Sequence, residues 1–308
     1  MKQFLYRGIV SAVGAFLLGV LPAAALTVQP VVIDDITASP GETVTRAVRV
    51  KNDALGEVKL KMSIYDVEPG DDTGFPKYLT KSPESTLANW INPNLSSEII
   101  LKGGETADVP LIIAVPKNAP PGGHYAGVAF GSVSTTEQEG VSAAVSGQTA
   151  VNLALDVRGD AVEKGELMKF STADGGSKYG KLPIEFVVKV NNSGNRHFKP
   201  TGTIEVTNMF GKSVASLAVN NVSPGGNVLP KANRSYTVKW DGGFAFGKYN
   251  AHLSLNMGKA GSAQADFSFW VLPAGLLVLW LVIALVIILI LALLIKNIMM
   301  GMAKKPAA

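Results

Sequence analysis

The chain has 308 residues, a formal net charge of +4 and no cysteine. The missing cysteine excludes a disulfide framework, a thiol nucleophile and any cysteine-ligated metal. The sequence shows no basic cluster with interleaved aromatic residues, so we expect no nucleic-acid partner.

The first 25 residues have the pattern of a secretory signal peptide. Lys2 and Arg7 give a positive start, an apolar run follows over residues 8–20, and small residues precede a cleavage point near Ala25. This order of segments is typical of exported proteins. An uncleaved membrane anchor is the alternative, but the apolar run is short for a full span.

Strand signals dominate residues 26–268. Apolar residues such as Leu60, Met62 and Ile64 alternate with polar ones over several short stretches. These stretches are KLKMSIY (59–65), QTAVNLALDV (148–157), PIEFVVKV (183–190) and SYTVKW (235–240). Period-two runs separated by clusters of Gly, Pro, Asn and Asp predict an all-β sandwich fold.

Three sequence signals occur twice, in the same order. The pairs are VRVKND (48–53) with VVKVNNSGN (187–195), GGETADVPLIIAVP (103–116) with KANRSYTVKWD (231–241), and PPGGHYAGVAF (120–130) with FAFGKYNAHLSL (244–255). The repeat predicts two tandem Ig-like β-sandwiches of ordinary length, which we place at residues 26–158 and 159–268.

The third signal places His124 in a Gly/Pro-rich bend before a strand. The second copy has Lys248 in the matching position, with Gly and Tyr retained around it. A position that accepts either residue is not expected to hold a general base. We therefore predict a structural turn, with Tyr125 and Tyr249 as core anchors.

The strand after this turn carries bulky residues on the face opposite to Tyr125. If Tyr125 lies in the core, then His124, Ala126, Val128 and Phe130 form an outer apolar stripe, which predicts a partner face or a surface covered by the other module. The alternative is a β-bulge that switches the alternation and returns Val128 and Phe130 to the core.

No sequence motif predicts an enzyme, a cofactor or a metal site. His124, His197 and His252 have no HxH or HxxxH spacing, and the chain has no Gly-x-Ser-x-Gly nucleophile elbow. The acidic loop Asp66–Asp72 is rich in the oxygen ligands that calcium prefers, but its spacing is not that of an EF-hand. A solvated hairpin tip is the preferred interpretation of this loop.

Residues 269–295 form an uncharged apolar run. The run exceeds the ~20 residues needed to cross a bilayer, so we predict a single transmembrane helix with Trp270 at the interface. Lysines follow in the tail, 296–308, and the positive-inside bias predicts that this tail is cytoplasmic. With a cleaved signal peptide, the result is a single-pass type I protein of the cell membrane with its ectodomain outside the cytoplasm.

These motifs resemble those of the WxL-interacting proteins, a family of bacterial cell-surface proteins. The similarity covers nearly the whole chain and includes SPGETVTRAVRVKND, LANWI with Trp90, LKGGETADVPLIIAVPKNAPPGGHYAGVAF and LPKANRSYTVKWDG. The resemblance implies a membrane-anchored protein whose first domain binds peptidoglycan and whose second domain contacts other ligands.

Together, these features predict a membrane-anchored extracytoplasmic binding or scaffold protein. Its expected partners are peptidoglycan or another cell-surface protein, and the lipid bilayer through the C-terminal helix. The alternative is a chaperone-like assembly module that donates or accepts a strand at an exposed sheet edge. The membrane anchor favours the first hypothesis, because a chaperone that carries subunits to an assembly site is usually soluble.

Overall fold

The computed structural model describes residues 26–80, 86–91, 98–133, 145–223 and 225–303. The predicted signal peptide and the last five residues of the predicted tail lie outside the described residues. The chain divides into two compact units, with a boundary between Gly159 and Asp160. The short segment Pro69–Lys77 belongs to the second unit.

The first unit is built almost entirely of strands. They are β1 (Leu26–Gln29), β2 (Val32–Ala38), β3 (Thr43–Asn52), β4 (Val58–Pro69), β5 (Pro76–Thr80), β6 (Glu98–Leu101), β7 (Thr106–Ala114), β8 (Gly122–Val133) and β9 (Val145–Val157), with a four-residue helix α1 (Leu87–Trp90) before β6. One sheet has the order β1-β3-β7, and the other has the order β2-β9-β8-β4-β5 with β6 also on β4. Both sheets contribute to one core, which contains Leu60, Leu111 and Phe130.

The second unit repeats this two-sheet construction. Its strands are β10 (Gly165–Thr172), β11 (Lys178–Tyr179), β12 (Ile184–Asn192), β13 (Thr201–Asn208), β14 (Ser213–Val219), β15 (Ala232–Trp240), β16 (Gly247–Asn256) and β17 (Ser262–Val271). The sheets have the orders β10-β12-β15 and β11-β17-β16-β13-β14. Phe186, Trp240, Tyr249 and Phe269 form an aromatic cluster in the core between them. The predicted all-β class is confirmed, with one apolar helix after the last strand.

A buried asparagine ends the equivalent strand of each unit. Asn52 closes β3 and Asn192 closes β12, and each is at most 1% exposed. Each side-chain oxygen accepts a hydrogen bond from the N–H two residues later, and each amide donates to the C=O four residues later. Each amide also reaches a distant carbonyl, that of Leu101 or Val228. The first repeated sequence signal therefore encodes the same local structure twice.

The apolar C-terminal run divides between a strand and a helix. Strand β17 extends to Val271, and Phe269 and Val271 are both fully buried in the core of the second unit. Helix α2 (Ala274–Ala303) begins only after Pro273. The predicted start of the span at Phe269 and the predicted domain end at residue 268 are therefore wrong by a few residues. Within α2, residues Val278–Asn297 form a candidate membrane span with a mean hydropathy of 3.6 and none of the segment buried.

Candidate functional site

The predicted partner face on β8 lies in the core of the first unit. Ala126, Val128 and Phe130 are each 0% exposed, and the partly buried His124 packs on the buried Trp90, with the ring centroids 4.5 Å apart and the rings tilted by 46°. The His124 ring also bonds the carbonyl of Pro120 at 2.9 Å. The prediction of an exposed stripe at His124, Ala126, Val128 and Phe130 is therefore wrong.

The proposed β-bulge is also wrong for this part of β8. The pairing of β8 with β9 is regular from Gly122 to Gly131, and the register shifts only after Gly131. Tyr125, which we placed in the core, lies on the opposite face and is partly exposed. The first interpretation therefore assigned these side chains to the wrong face, whereas the alternative placed Val128 and Phe130 correctly in the core but for the wrong reason.

The cause of this error is a one-residue slip between the two repeats. Gly122 and Gly247 both begin their strands and both have positive φ, at 120° and 104°. Aligned on these glycines, His124 corresponds to Tyr249, and each of these rings packs on a tryptophan. A slip of one residue in a period-two pattern moves every side chain to the other face.

The outer face of β8 is covered by a tyrosine of the same unit. A side chain at Gly127 would collide with the ring of Tyr78, which therefore rests directly on the strand. The Tyr78 hydroxyl donates a hydrogen bond to the Asn152 side chain at 2.8 Å, and burial raises the pKa of Tyr78. Tyr65 packs edge-on to the same ring at 6.2 Å. The small residues of this face are therefore used in internal packing.

The acidic loop does not gather its carboxylates around a common point. Asp72 forms an ion pair with Lys189, and its backbone carbonyl accepts a hydrogen bond from the N–H of Ser235. Asp71 accepts hydrogen bonds from Thr73, which lower the pKa of its carboxyl group. Among the described residues, no group of three or more His, Cys, Asp or Glu has a geometry that would hold a metal ion.

The outer face of the five-stranded sheet in the second unit is polar. His252 bonds Asp266 at 2.9 Å, and this hydrogen bond is the main cause of a lowered pKa for Asp266. Further along the same strands, a shallow depression of about 1000 Å³ is lined in part by Thr203, Ser254 and Gln264. The depression presents hydroxyl and amide groups, and no aromatic side chain lines it.

Most edge strands carry a feature that hinders pairing with another chain. In β7, Pro110 lacks an N–H, and the bridge between Ile91 and Ile113 occupies part of the edge. In β10 the pairing register shifts at Met168. In β2 the pairing register shifts between Ile33 and Ile36, where two aspartates lie. The edges β1, β5, β6 and β11 are five residues or shorter. The N–H of Ser235 on β15 is already bonded to the 69–77 segment.

Strand β14 differs from these edges. Among the described residues it pairs with β13 alone, and its sequence SVASLAV contains no charge and no proline. A one-residue bulge at Val214 lies beside the turn, and Ala215–Val219 are regular. Ala215, Leu217 and Val219 turn toward the core, whereas Ser216 and Ala218 are exposed. Uncharged, regular edges of this kind are sites where another strand can add.

The pairing pattern identifies which backbone groups of β14 point outward. The N–H of Asn208 donates to the carbonyl of Lys212, so these residues form a hydrogen-bonded pair at the turn. In an antiparallel ladder, hydrogen-bonded and non-hydrogen-bonded pairs alternate. We follow this alternation from the Asn208–Lys212 pair along β14 and count the bulge as one extra residue. Leu217 and Val219 then bond to β13, whereas Ser216 and Ala218 direct their backbone N–H and C=O groups away from the sheet. This outward edge is the candidate site.

Comparison with known proteins does not assign the chain to a family. No protein family matches it, and no curated relative does. Among solved structures, the class 5 fimbriae chaperone CfaA is similar over 81% of this chain and 100% of its own, with 12% identity and a TM-score of 0.39. The Escherichia coli chaperone DraB matches over 80% and 97%, with 12% identity and a TM-score of 0.36. A PapD-like domain of human CEP192 matches over 46% and 91%, with 16% identity and a TM-score of 0.31. Scores this low decide neither the fold nor a partner, and the resemblance to WxL-interacting proteins stays a prediction.

Proposed function

We propose that this chain is a membrane-anchored extracytoplasmic binding module that accepts an extended segment of another cell-surface protein at β14. The proposal joins the two hypotheses drawn from the sequence, because a tethered module can also accept a strand. The single observation that carries it is the regular, uncharged edge Ala215–Val219, which pairs on one side only within the part of the chain that the structure describes. Helix α2, which is long and apolar enough to cross a bilayer, supports the anchor.

The expected affinity of this edge alone is low. Ser216 and Ala218 offer two N–H and two C=O groups, so a partner strand gains up to about four hydrogen bonds, each contributing about 1 kcal/mol net. A total of about 4 kcal/mol corresponds to a dissociation constant of about 1 mM. Useful binding therefore requires partner side chains on the apolar edge or a partner in the same membrane, where tethering raises the effective concentration.

Peptidoglycan binding, which the resemblance implies, is a second proposal with less support. Trp90 and Trp240 are both only 4% exposed, so neither indole ring can stack on a sugar. The shallow depression lined by Thr203, Ser254 and Gln264 is polar and fits a hydroxyl-rich ligand, but it lacks an aromatic platform. We propose no catalytic role for the chain.

Photocrosslinking in intact cells tests strand addition. A photoreactive amino acid at Ala218 of the full chain should form a crosslink to a second polypeptide. The matched control is Thr203, which pairs with Ala218 but lies on an interior strand and should give no such product. With the crosslinker at Ala218, Ser216→Pro removes an outward N–H and should abolish the product, whereas Ser216→Thr should retain it.

Two results would contradict the proposal. A crosslink that survives Ser216→Pro in a folded protein would show that the partner docks through side chains and not by strand addition. A product with twice the mass of this chain would show that the edge pairs with a second copy. The fold of each variant is checked by hydrogen exchange of the β13 and β16 peptides, whose mutual pairing Ser216→Pro does not touch.

A further inference from the structure

One end of the second unit is joined directly to helix α2. Strand β17 ends at Val271 and α2 begins at Ala274, so only two residues lie between them. Trp270 pairs with Lys248 at the start of β16, and Tyr249 pairs with Asn208 at the end of β13. The β13–β14 turn (209–212) and the β15–β16 loop (241–246) therefore lie at the same end of the sandwich as the start of α2.

Four exposed aromatic side chains of the second unit lie at this end. Phe210 is 85% exposed and Phe244 is 79% exposed, and Phe246 and Trp270 are also exposed. Among the described residues of 160–271, these four are all of the exposed aromatic side chains. At the other end of the sheet, the β16–β17 turn Gly258–Ala260 carries none. Isolated exposed apolar residues are common, but four aromatic rings at one end of a domain indicate a contact surface.

The covalent connection brings this end close to the membrane. The two linking residues span about 7 Å, and the first four residues of α2 rise about 6 Å before the candidate span begins at Val278. The headgroup layer on each side of a bilayer is roughly 5–8 Å thick. Two loops at the same end of the sandwich as α2 therefore cannot lie far from the headgroups once α2 crosses the membrane.

The charge at this end suits the same surface. Lys178, Lys181, Lys212 and Lys248 are exposed there. The acidic residues nearby are Asp174, Glu185 and Asp241, of which Asp241 forms an ion pair with Lys239 at 3.1 Å. Aromatic rings and lysines together are the residues that settle at the boundary between headgroups and acyl chains.

We propose that the turn 209–212 and the loop 241–246 insert their aromatic side chains into the lipid interface and form a second membrane contact beside α2. The lipid contact fixes the height and the tilt of the second unit on the membrane, which a two-residue link alone does not. This inference rests on the membrane anchor of the proposed function and is independent of strand addition at β14.

Spin labels on the full chain in vesicles test the inference, and the natural absence of cysteine makes single labels straightforward. Nitroxides at Phe210→Cys and Phe244→Cys in vesicles of phosphatidylcholine and phosphatidylglycerol should be relaxed more by oxygen, which concentrates in lipid, than by an aqueous nickel complex. The matched control is Lys259→Cys on the β16–β17 turn, about 30 Å away along β16, where the nickel complex should dominate. Leu285→Cys, inside the candidate span, reports on the anchor itself.

The outcomes separate the inference from the proposal beneath it. If the labels at positions 210 and 244 behave like the label at 259 while the label at 285 lies in lipid, the anchor holds and the lipid contact of the loops is refuted. If the label at 285 is exposed to water, the anchor fails and the inference fails with it.

Discussion

Replacement of Asn192 by alanine should greatly destabilise the second unit, because this buried amide holds three backbone groups. Its Nδ2 donates to the carbonyls of Arg196 and Val228, both at 2.9 Å, and its Oδ1 accepts from the N–H of Gly194 at 2.9 Å. The bonds to Val228 and Gly194 are fully buried. The buried N–H of Gly194 loses its side-chain acceptor, at a cost of about 1–3 kcal/mol, whereas the carbonyl of Val228 keeps a hydrogen bond from the N–H of Phe198. With about 1 kcal/mol for each of the two hydrogen bonds lost at carbonyls, Asn192→Ala should cost about 4 kcal/mol.

Hydrogen exchange of the full chain in detergent provides the assay. Peptides from β12 and β15 should exchange roughly 1000-fold faster in Asn192→Ala, because each 1.4 kcal/mol changes the opening equilibrium about tenfold. The matched control is Asn191→Ala, the preceding residue, whose half-buried amide bonds the Asn233 side chain. The control should cost less than about 1 kcal/mol. Equal acceleration in the two variants would refute the capping role of Asn192.

Two further predictions follow from the side-chain positions. Val128→Lys places an ammonium group in the core and should unfold the first unit, whereas Tyr125→Lys, on the other face of the strand, should leave the unit folded. Thermal unfolding compares the two variants. Equal destabilisation would contradict the burial of Val128. The hydrogen bond from His252 lowers the pKa of the Asp266 carboxyl group. The ionised carboxylate therefore stabilises the fold at pH values above its unfolded pKa of about 4. This stabilisation is lost as the pH falls through the lower pKa of the folded state. Hydrogen exchange of β16 and β17 should therefore accelerate on acidification, and less so in Asp266→Asn; an identical acid response of both proteins would show that this pair does not contribute.

The sequence was sufficient to predict the strands because their signal is local. Leu60, Leu153 and Phe186 belong to stretches in which bulky apolar residues recur at every second position, and each lies in a core strand with the expected face inward. Tyr249 was also placed correctly in the core. A period-two pattern arises when only one face of a strand contacts apolar neighbours. A short stretch of sequence is enough to show this pattern.

Strand β8 could not be assigned in the same way, because both of its faces are filled. Ala126, Val128 and Phe130 face the core, and Gly127 and Ala129 lie on the other side, where Tyr78 covers Gly127. Small residues on the covered outer face look like a core pattern in the sequence. The choice between faces depends on a tyrosine of another strand, and the sequence of β8 does not contain that information.

The end of β17 was missed for a related reason. Phe269 and Val271 are apolar because they enter the sandwich core, and the residues after Pro273 are apolar on all sides of an unburied helix. The two causes give one continuous apolar run, and hydropathy does not separate them. Trp270 distinguishes the strand from the helix in the structure. It lies on the polar outer face of the sheet between two buried neighbours, and this alternation of faces is that of a strand.

The proposed lipid contact restricts the partner that β14 can accept. The strand begins at Ser213, directly after the turn that we place in the lipid interface, and its regular part starts at Ala215. Ala215 lies three residues along the chain from Lys212, a distance of about 10 Å, and Val219 lies only about 13 Å further. A segment that pairs with this edge must therefore itself come within about 10–25 Å of the bilayer surface. A membrane-proximal stretch of another anchored protein meets this condition, and its confinement to the same membrane supplies the effective concentration that about four hydrogen bonds require.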